Sequence, residues 1–194
     1  MSIWYFVRHA QSTANVEGWL AGQIDVPLTD LGWAQAKETA RTIAQVTPRI
    51  SRVLSSDLQR CRCTARCIAD SLGLPIVEEM RELREQHLGD WQGQSLSQIQ
   101  RIGRLDNLRS WRFSPPHGES LCAVANRVSV SLTQRYQEID TVVVTHKNVL
   151  RAIIGLLREM SDAELMKLRL SDGTIICEEL GPDRWASQIR KIEL

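Results

Sequence analysis

Two histidines and two arginines in this sequence are of the types that bind and transfer an anionic group. Arg8 and His9 directly follow the short apolar run Ile3–Val7, while Arg60 and His146 lie far along the chain. An arginine guanidinium can hold a phosphate or carboxylate through two parallel hydrogen bonds. A neutral imidazole can act as nucleophile, base or metal ligand. Brought together, the four side chains would form a strongly cationic site suited to a dianionic phosphoryl group.

The charge of such a site indicates its chemistry. Two nearby guanidinium groups lower the pKa of a histidine, which keeps an imidazole neutral and nucleophilic. Phosphoryl transfer needs mainly alignment and charge neutralisation, which arginines and backbone N–H groups supply without a metal. We therefore expect one histidine to attack phosphorus and the other to neutralise the equatorial oxygens. We expect no metal and no other cofactor, and we disfavour a metallohydrolase because two arginines would repel the cation.

The reaction also needs a carboxylic acid that protonates the leaving oxygen and later activates water. Glu82, Glu85 and Asp90 are candidates, and the residue types alone do not choose among them. At least one of the three is expected to pair with Arg81 or Arg84 instead.

Strand-like and helix-like segments alternate along the chain, which is typical of an α/β fold with a mostly parallel central sheet, helices on both faces and an antiparallel edge. The sequence predicts one domain over residues 1–194, with an irregular insert at about 78–118 that forms a lid. Predicted strands cover residues 3–7, 52–56, 75–77, 141–145, 174–180 and 185–192. Predicted helices cover about 32–45, 57–72 (capped by Asp57), 119–136 and 147–157, with a short helix after the last.

In a parallel sheet the carboxyl ends of the strands share one edge, where ligands bind. Arg8 and His9 end the first strand, Arg60 lies one turn into the helix behind the second, and His146 ends the Val-rich strand. The predicted topology therefore brings these four side chains together. Helix N-termini behind the strands add N–H groups that favour an anion.

Composition excludes several other classes of protein. Lys and Arg number 24 against 23 Asp and Glu, so the net charge gives no attraction toward nucleic acid or membrane. The five cysteines, an odd number, do not indicate a disulfide framework. Cys61, Cys63 and Cys67 lack the spacing of a zinc element. We expect a cytoplasmic protein, because no apolar run resembles a signal peptide or a membrane span.

Several ordered motifs resemble those of the histidine phosphatase superfamily, which includes cofactor-dependent phosphoglycerate mutases and small-metabolite phosphatases. The first is Phe-Val-Arg-His-Ala-Gln-Ser-Thr-Ala-Asn at residues 6–15. The other matching segments are 25–36, 55–65, 83–93, 116–120 and 145–146. The resemblance covers most of the chain. It implies a phosphoglycerate mutase-like fold and a protein that acts on a small phosphorylated metabolite.

Position by position, the resemblance implies that His9 is the phosphorylated nucleophile. It implies that Arg8, Arg60 and His146 complete the phosphate pocket and that Glu85 is the proton donor, ahead of Glu82 and Asp90. The further substrate-binding residues that it implies are Gln11, Ser12 and Asn15 at the pocket entrance, with Gly22 and Gln23 contributing contacts.

The expected activity is that of a histidine acid phosphatase-type phosphomonoesterase, a hydrolase. The resemblance favours hydrolysis because the family's mutases carry a longer insert and a C-terminal tail that exclude water. His87 and Asn148 nevertheless match mutase-like motifs, so phosphoglycerate mutase-type transfer is the alternative. Ala10 and Lys147 replace usual glycines, which leaves a non-catalytic phosphate-binding regulator as another alternative. Lys147 either points away or adds a cation at the pocket rim, and a homodimer is one assembly that the sequence allows.

Two groups of residues are candidates for contacting the rest of the substrate. The residues that could form an apolar wall are Trp19, Leu20, Trp91, Trp111 and Phe113. The arginines that could meet a second anionic group are Arg101, Arg104, Arg109 and Arg112. A solvated helix face has the same composition, and we interpret these arginines mainly in that way.

Overall fold

The fold is built around a five-stranded sheet with the strand order β3-β2-β4-β1-β5. The computed structural model describes residues 1–46, 49–101 and 110–181. The strands are β1 (Ser2–Arg8), β2 (Arg52–Ser56), β3 (Glu78–Met80), β4 (Thr141–Thr145) and β5 (Ile175–Leu180). The pairs β1–β4, β2–β4 and β2–β3 are parallel, whereas β5 pairs antiparallel with β1. The predicted mostly parallel sheet with an antiparallel edge is confirmed.

Helices cover both faces of this sheet because its central strands are apolar on both sides. The helices are α1 (Thr13–Glu17), α2 (Asp30–Val46), α3 (Gln59–Ser71), α4 (Leu96–Arg101), α5 (Leu121–Gln134), α6 (Lys147–Leu157) and α7 (Asp162–Lys167), with 3-10 turns at Arg81–Leu83 and Gly89–Trp91. Alternate residues of a strand face opposite sides. Trp4 and Phe6 therefore join the core under α5 and α6, and Tyr5 and Val7 join the core under α2 and α3.

The predicted strand at residues 75–77 is wrong by three positions, because β3 begins at Glu78 and pairs through Glu78 with Leu54. Pro75 has no N–H for a strand ladder, and the Ile76 side chain is 74% exposed, which an interior strand position would not allow. The predicted insert therefore begins with a strand of the sheet, and its irregular part starts after Met80.

The helix predicted to begin with Asp57 as its cap begins instead after Leu58, which is the N-cap of α3. The Asp57 carboxylate accepts two hydrogen bonds from Arg84, at 2.6 and 2.7 Å, so it is engaged elsewhere. The short helix α1 lies in a segment for which the sequence predicted no helix. The predicted strand 185–192 lies outside the described residues.

Where the structure describes the chain, none of its helices has both the length and the apolar character needed to cross a bilayer.

Candidate active site

The ends of β1, β2 and β4 form the centre of the candidate site. These three strands are neighbours in the sheet, so their carboxyl ends lie side by side. The backbone N–H of His9 donates to the Thr145 carbonyl at 2.9 Å, which extends the β1–β4 ladder to the histidine. The His9 and His146 ring centroids are 5.2 Å apart, with an interplanar angle of 63°. Two imidazoles that are 137 positions apart in the sequence thus meet at one edge, as the topology predicted.

The His9 ring is held so that one nitrogen is free for chemistry. Its Nδ1 lies 2.7 Å from the Ala10 carbonyl oxygen. A carbonyl only accepts hydrogen bonds, so Nδ1 carries the proton and Nε2 keeps its lone pair. Burial, and then the positive charges of Arg60 and Arg8, hold the pKa of His9 well below its usual value. His9 is therefore a neutral imidazole able to attack an electrophile through Nε2.

His146 lies fully buried against the His9 ring. Its Nε2 is 2.9 Å from the Ser56 hydroxyl and 3.3 Å from the Cys61 sulfur. Burial, followed by the charge of Arg60, lowers its pKa well below the usual value. Ser56 and Cys61 thus orient the second histidine. This contact of Cys61 was not predicted from the sequence, although Cys61 comes directly after Arg60 and so lies close to the site.

The two arginines enter the site from different elements and are both buried. Arg8, the last residue of β1, donates to the Leu170 carbonyl and forms an ion pair with Asp172 at 2.8 Å. Arg60, near the start of α3, donates to the carbonyls of Gly22 at 2.8 Å and Ile24 at 2.9 Å. These contacts fix both guanidinium groups next to His9, where they can neutralise a phosphoryl dianion.

Glu85 is the acidic candidate that the structure places at the site. Its carboxylate accepts from the backbone N–H of Gln86 at 2.8 Å and of Asn148 at 3.2 Å. The second bond places the carboxylate at the N-terminus of α6, because Asn148 is the second residue of that helix and lies two residues after His146. Glu85 lines the same cavity as His9, so it is positioned to exchange a proton with a bound ester.

The other two acids lie elsewhere. Glu82 and Asp90 do not line this cavity, and the Asp90 carboxylate is 3.1 Å from the His117 ring. The expected pairing of one of the three acids with Arg81 or Arg84 is wrong. Both arginines face Asp57 instead, at 3.9 and 2.6 Å. Arg84 is a bidentate partner, and its hydrogen bonds lower the pKa of Asp57.

A network of hydrogen bonds holds the backbone around Glu85. Arg127 of α5 donates to the carbonyls of Glu82, Arg84 and Glu85, and forms an ion pair with Glu119 at 2.8 Å. The Gln23 amide donates to the Glu85 carbonyl at 3.0 Å. Sequence reasoning missed Arg127, because a lone arginine within a helix gives no sign of the loop that it contacts.

A cavity of about 450 Å³ opens over His9. The residues named from the sequence that line it are Arg8, His9, Ser12, Asn15, Gly22, Arg60, Glu85 and Lys147. Three of the predicted catalytic and substrate-binding residues do not line it. His146 lies behind His9, Gln23 supports Glu85, and Gln11 binds outward, its side chain accepting from Thr29 at 2.8 Å. Their positions correspond to support of the site rather than to its surface.

The apolar side of the cavity is smaller than the sequence suggested. Trp19 and Leu20 line it, together with Leu88 and Leu96. Trp91 is instead 3% exposed and packs against Phe113 with ring centroids 5.6 Å apart, and Trp111 packs on the main core. Arg101 and Arg112 are exposed and do not line the cavity, while Arg104 and Arg109 lie outside the described residues.

The two residues that replace glycines take different positions. Ala10 is fully buried in a small apolar cluster with Leu28 and Ala36, so its methyl group has a place in the core. Lys147 is half-buried at the first position of α6 and lines the cavity, as one of the two readings of its sequence position predicted. Burial and the nearby charge of Arg151 lower the pKa of Lys147.

All five cysteines are free thiols. Cys63 and Cys67 pack against the Ala10 cluster and Cys61 lies at His146, so they occupy separate surroundings. Within residues 1–46, 49–101 and 110–181, no three histidine, cysteine or carboxylate side chains are grouped as metal ligands.

A family model described as the histidine phosphatase superfamily (branch 1) matches residues 4–192, which is nearly the whole chain. The chain belongs to the histidine phosphatase superfamily. The matched span contains His9, Arg60 and Glu85, which line the cavity, and His146, which lies against the His9 ring.

Relatives within this superfamily include both mutases and phosphatases. A 2,3-bisphosphoglycerate-dependent phosphoglycerate mutase 2 from Gloeobacter violaceus is 31% identical, with 97% of this chain and 90% of the relative covered. An adenosylcobalamin/alpha-ribazole phosphatase from Salmonella typhimurium is 32% identical, with 89% and 87% covered. Family membership therefore establishes the phosphatase and mutase class without choosing the substrate.

Solved structures of phosphatases have the same fold. A mycobacterial glucosyl-3-phosphoglycerate phosphatase in complex with VO3 superposes with a TM-score of 0.82 at 28% identity, covering 91% of this chain and 92% of the other. The native form of that phosphatase gives a TM-score of 0.81 at 28% identity, with 91% and 89% covered. The phosphoglycerate mutase-like architecture is thus confirmed.

Proposed function

We propose that this protein is a metal-independent phosphatase that hydrolyses a small-metabolite phosphomonoester through a phosphohistidine at His9. The observation that carries the proposal is the orientation of His9. Its Nδ1 is held on the Ala10 carbonyl at 2.7 Å within a cavity that also presents Arg8, Arg60 and Glu85. A nucleophile, charge-neutralising donors and an acid are the parts that phosphoryl transfer requires.

In the first step, the lone pair of His9 Nε2 attacks phosphorus while the ester P–O bond breaks. Arg8 and Arg60 neutralise the non-bridging oxygens, and His146 supports them from behind His9. Glu85, in its protonated form, gives its proton to the departing alcohol oxygen and becomes a carboxylate. The product alcohol leaves, and the phosphoryl group stays on Nε2.

In the second step, the Glu85 carboxylate takes a proton from a water molecule, whose oxygen attacks phosphorus. The N–P bond breaks, its electrons return to Nε2, and inorganic phosphate leaves. His9 is again neutral and Glu85 again protonated, so the cycle closes without a redox change or an added cofactor. The lowered pKa of His9 supports this route, because a protonated imidazole could not attack.

The test is a panel of phosphomonoesters assayed on wild type and His9→Ala side by side, with EDTA present. We expect wild-type turnover that EDTA leaves intact and vanadate inhibits, and loss of turnover in His9→Ala. Turnover that EDTA abolishes and a divalent cation restores would identify a metallohydrolase instead. Phosphate binding with no turnover of any ester would identify a phosphate-binding regulator.

A mutase is the second candidate function, favoured by the 31% identical phosphoglycerate mutase relative that aligns over 97% of this chain. In that reaction the phosphoryl group on His9 passes to a second hydroxyl rather than to water. Interconversion of 2- and 3-phosphoglycerate, faster than phosphate release and dependent on 2,3-bisphosphoglycerate, would establish it. Release of phosphate without interconversion would exclude it.

A further inference from the structure

A second, cationic cavity adjoins the cavity over His9. It has a volume of about 690 Å³ and is bounded by the first two turns of α6 and the segment after α7. The lining residues are Lys147, Arg151, Lys167, Leu168, Arg169, Leu170 and Ser171. Lys147 and Arg151 also line the cavity over His9, so the two cavities share a wall. We refer to the larger one as the cationic groove.

The cationic groove contains four positive side chains and no carboxylate among its lining residues. Lys147 and Arg151 are four residues apart on α6, so their side chains lie on the same helix face, about 5–6 Å apart at Cβ. Like charges at this spacing destabilise a helix. Both groups are half-buried, and burial lowers the pKa of each. The nearby carboxylates are Glu85, which acts on both side chains, and Asp172, which acts on Lys147. Asp172 is paired with Arg8, and Glu85 accepts from backbone N–H groups, so the groove keeps an excess of positive charge that an anion would stabilise.

The pairing of arginines elsewhere in the molecule makes Arg151 unusual. Among the described arginines that are buried or half-buried, those with a carboxylate partner are Arg8, Arg52, Arg84, Arg127 and Arg135. Within the same part of the chain, Arg60 and Arg151 have no carboxylate partner, and both line the cavity over His9. Arg60 is held by two carbonyls, as described above.

Arg151 makes one side-chain hydrogen bond to the described residues, from Nη1 to the Asn148 side-chain oxygen at 3.1 Å. Its Nε is buried and has no hydrogen-bond partner there. The Lys147 ammonium likewise has no hydrogen bond or ion pair with the residues that the structure describes. Hydrogen-bond donors without a protein partner are expected where a bound ligand accepts their hydrogen bonds.

We propose that Lys147 and Arg151, with Arg169 and Lys167 across the groove, bind a second anionic group of the substrate. The substrate is then a phosphomonoester that carries a carboxylate or a second phosphate. The groove begins within one helical turn of His146, a rise of about 5.4 Å, so a short carbon chain joins the two anionic groups. This inference rests on the proposed function, because it places the reacting phosphate at His9.

The proposed subsite lies on α6 and not on the insert. The arginines of the insert were candidates for a second anion but were interpreted mainly as a solvated face, and Arg101 and Arg112 are indeed exposed and line neither cavity. Apart from Arg8 and Arg60, the basic residues that line the cavity over His9 are Lys147 and Arg151 of α6. Lys147, which stands where the family has glycine, is therefore a specificity-determining residue of this chain.

The test compares three esters of similar length: glycerol 3-phosphate, 3-phosphoglycerate and propane-1,3-diol bisphosphate. The second group is neutral in the first, a carboxylate in the second and a phosphate in the third. For wild type we expect kcat/KM to be at least about tenfold higher for one of the two esters with a second anionic group than for glycerol 3-phosphate. Arg151→Met and Lys147→Met should each remove most of that preference, a loss of about tenfold for a tenfold preference, mainly through KM.

Two control variants keep the result specific. Arg66→Met removes an exposed arginine of α3 that pairs with Asp70, and Arg112→Met removes an exposed arginine of the insert. Neither should alter the preference. Melting temperatures of all variants establish that they are folded. A preference that Arg112→Met removes and Arg151→Met leaves intact would overturn the inference, as would equal kcat/KM for all three esters.

The subsite and the proposed function can fail separately. Turnover of any ester tests the function, and the preference between esters tests the subsite. If wild type turns over none of the esters, calorimetry of their binding to wild type and to Arg151→Met still tests the subsite. Tighter binding of an ester with a second anionic group, lost in Arg151→Met, supports the subsite. Equal binding of all three overturns it.

Discussion

Replacing Glu85 by glutamine removes the proposed acid while keeping its place in the structure. The Glu85 carboxylate accepts from the N–H groups of Gln86 and Asn148 at 2.8 and 3.2 Å. The glutamine side-chain oxygen can accept the same bonds, and its backbone carbonyl still accepts from Gln23 and Arg127. Glu85→Gln is therefore expected to fold normally and to lose only the exchangeable proton.

The size of the effect follows from the role of that proton. General acid catalysis contributes about 10²- to 10⁴-fold, which corresponds to about 3–5 kcal/mol of transition-state stabilisation. For an alkyl phosphate, whose leaving oxygen is strongly basic, we expect kcat/KM of Glu85→Gln to fall by that factor. For p-nitrophenyl phosphate, whose leaving oxygen is stable as an anion, phosphorylation of His9 should slow by less than about tenfold.

The assay is rapid-mixing kinetics with both esters. With p-nitrophenyl phosphate, Glu85→Gln should release one equivalent of nitrophenolate in a burst and then turn over slowly, because hydrolysis of phosphohistidine lacks its base. Glu82→Gln, the same change at a position outside the cavity, is the matched control and should behave as wild type. Equal losses on the two esters, or an unaffected Glu85→Gln, would refute the assignment of Glu85 as the acid.

Three further predictions concern the parts that support the site. Burial lowers the pKa of His9 and His146 in the folded protein. Between about pH 6.5 and the lowered pKa, each histidine is therefore protonated in the unfolded chain but not in the folded one. For each of the two histidines, the free energy of unfolding should fall by about 1.4 kcal/mol for every unit by which the pH decreases. Urea unfolding at a series of pH values should show this slope, reduced by half in His146→Gln, and an unchanged slope in that variant would contradict it. Arg127→Met removes donors to three loop carbonyls and the pair with Glu119, so urea unfolding should show a loss of about 2–4 kcal/mol together with lower kcat, and a fully stable, fully active variant would rule this support out. Gly22→Ala should lower kcat/KM, because the φ of Gly22 is +52° and the new Cβ would lie 2.4 Å from the Gln92 side-chain oxygen. The resulting shift would move the Gly22 carbonyl, which accepts a hydrogen bond from Arg60. Gly73→Ala, where φ is +68° and the space around the new Cβ is open, should alter stability only.

The arrangement of His9, Arg60 and His146 was predictable because it depends on topology. Each follows an apolar run that predicts a strand, and the carboxyl ends of parallel strands lie at the same edge of the sheet. Such patterns are local in sequence, so they can be recognised without knowing the fold. The exact span of α6, Lys147–Leu157, was predictable for the same reason, since its apolar residues recur at helical spacing.

The errors arose where a local signal competed with a distant partner. Asp57 has the chemistry of a helix cap, but Arg84, 27 residues away, binds it instead. The support of Glu85 by Arg127 joins residues 42 positions apart, and nothing near either residue in sequence signals it. The contact between Cys61 and His146 spans 85 positions. Side-chain contacts of this kind depend on packing, which periodicity does not encode.

The central claim is that phosphate passes through the Nε2 nitrogen of His9. Wild-type protein mixed with a turned-over ester and quenched in alkali within milliseconds should carry phosphate on His9, identified by mass spectrometry of the digested protein. That phosphate should be labile to acid, should increase in Glu85→Gln and should be absent from His9→Ala. Phosphate found on another residue, or turnover by His9→Ala at the wild-type rate, would contradict the account.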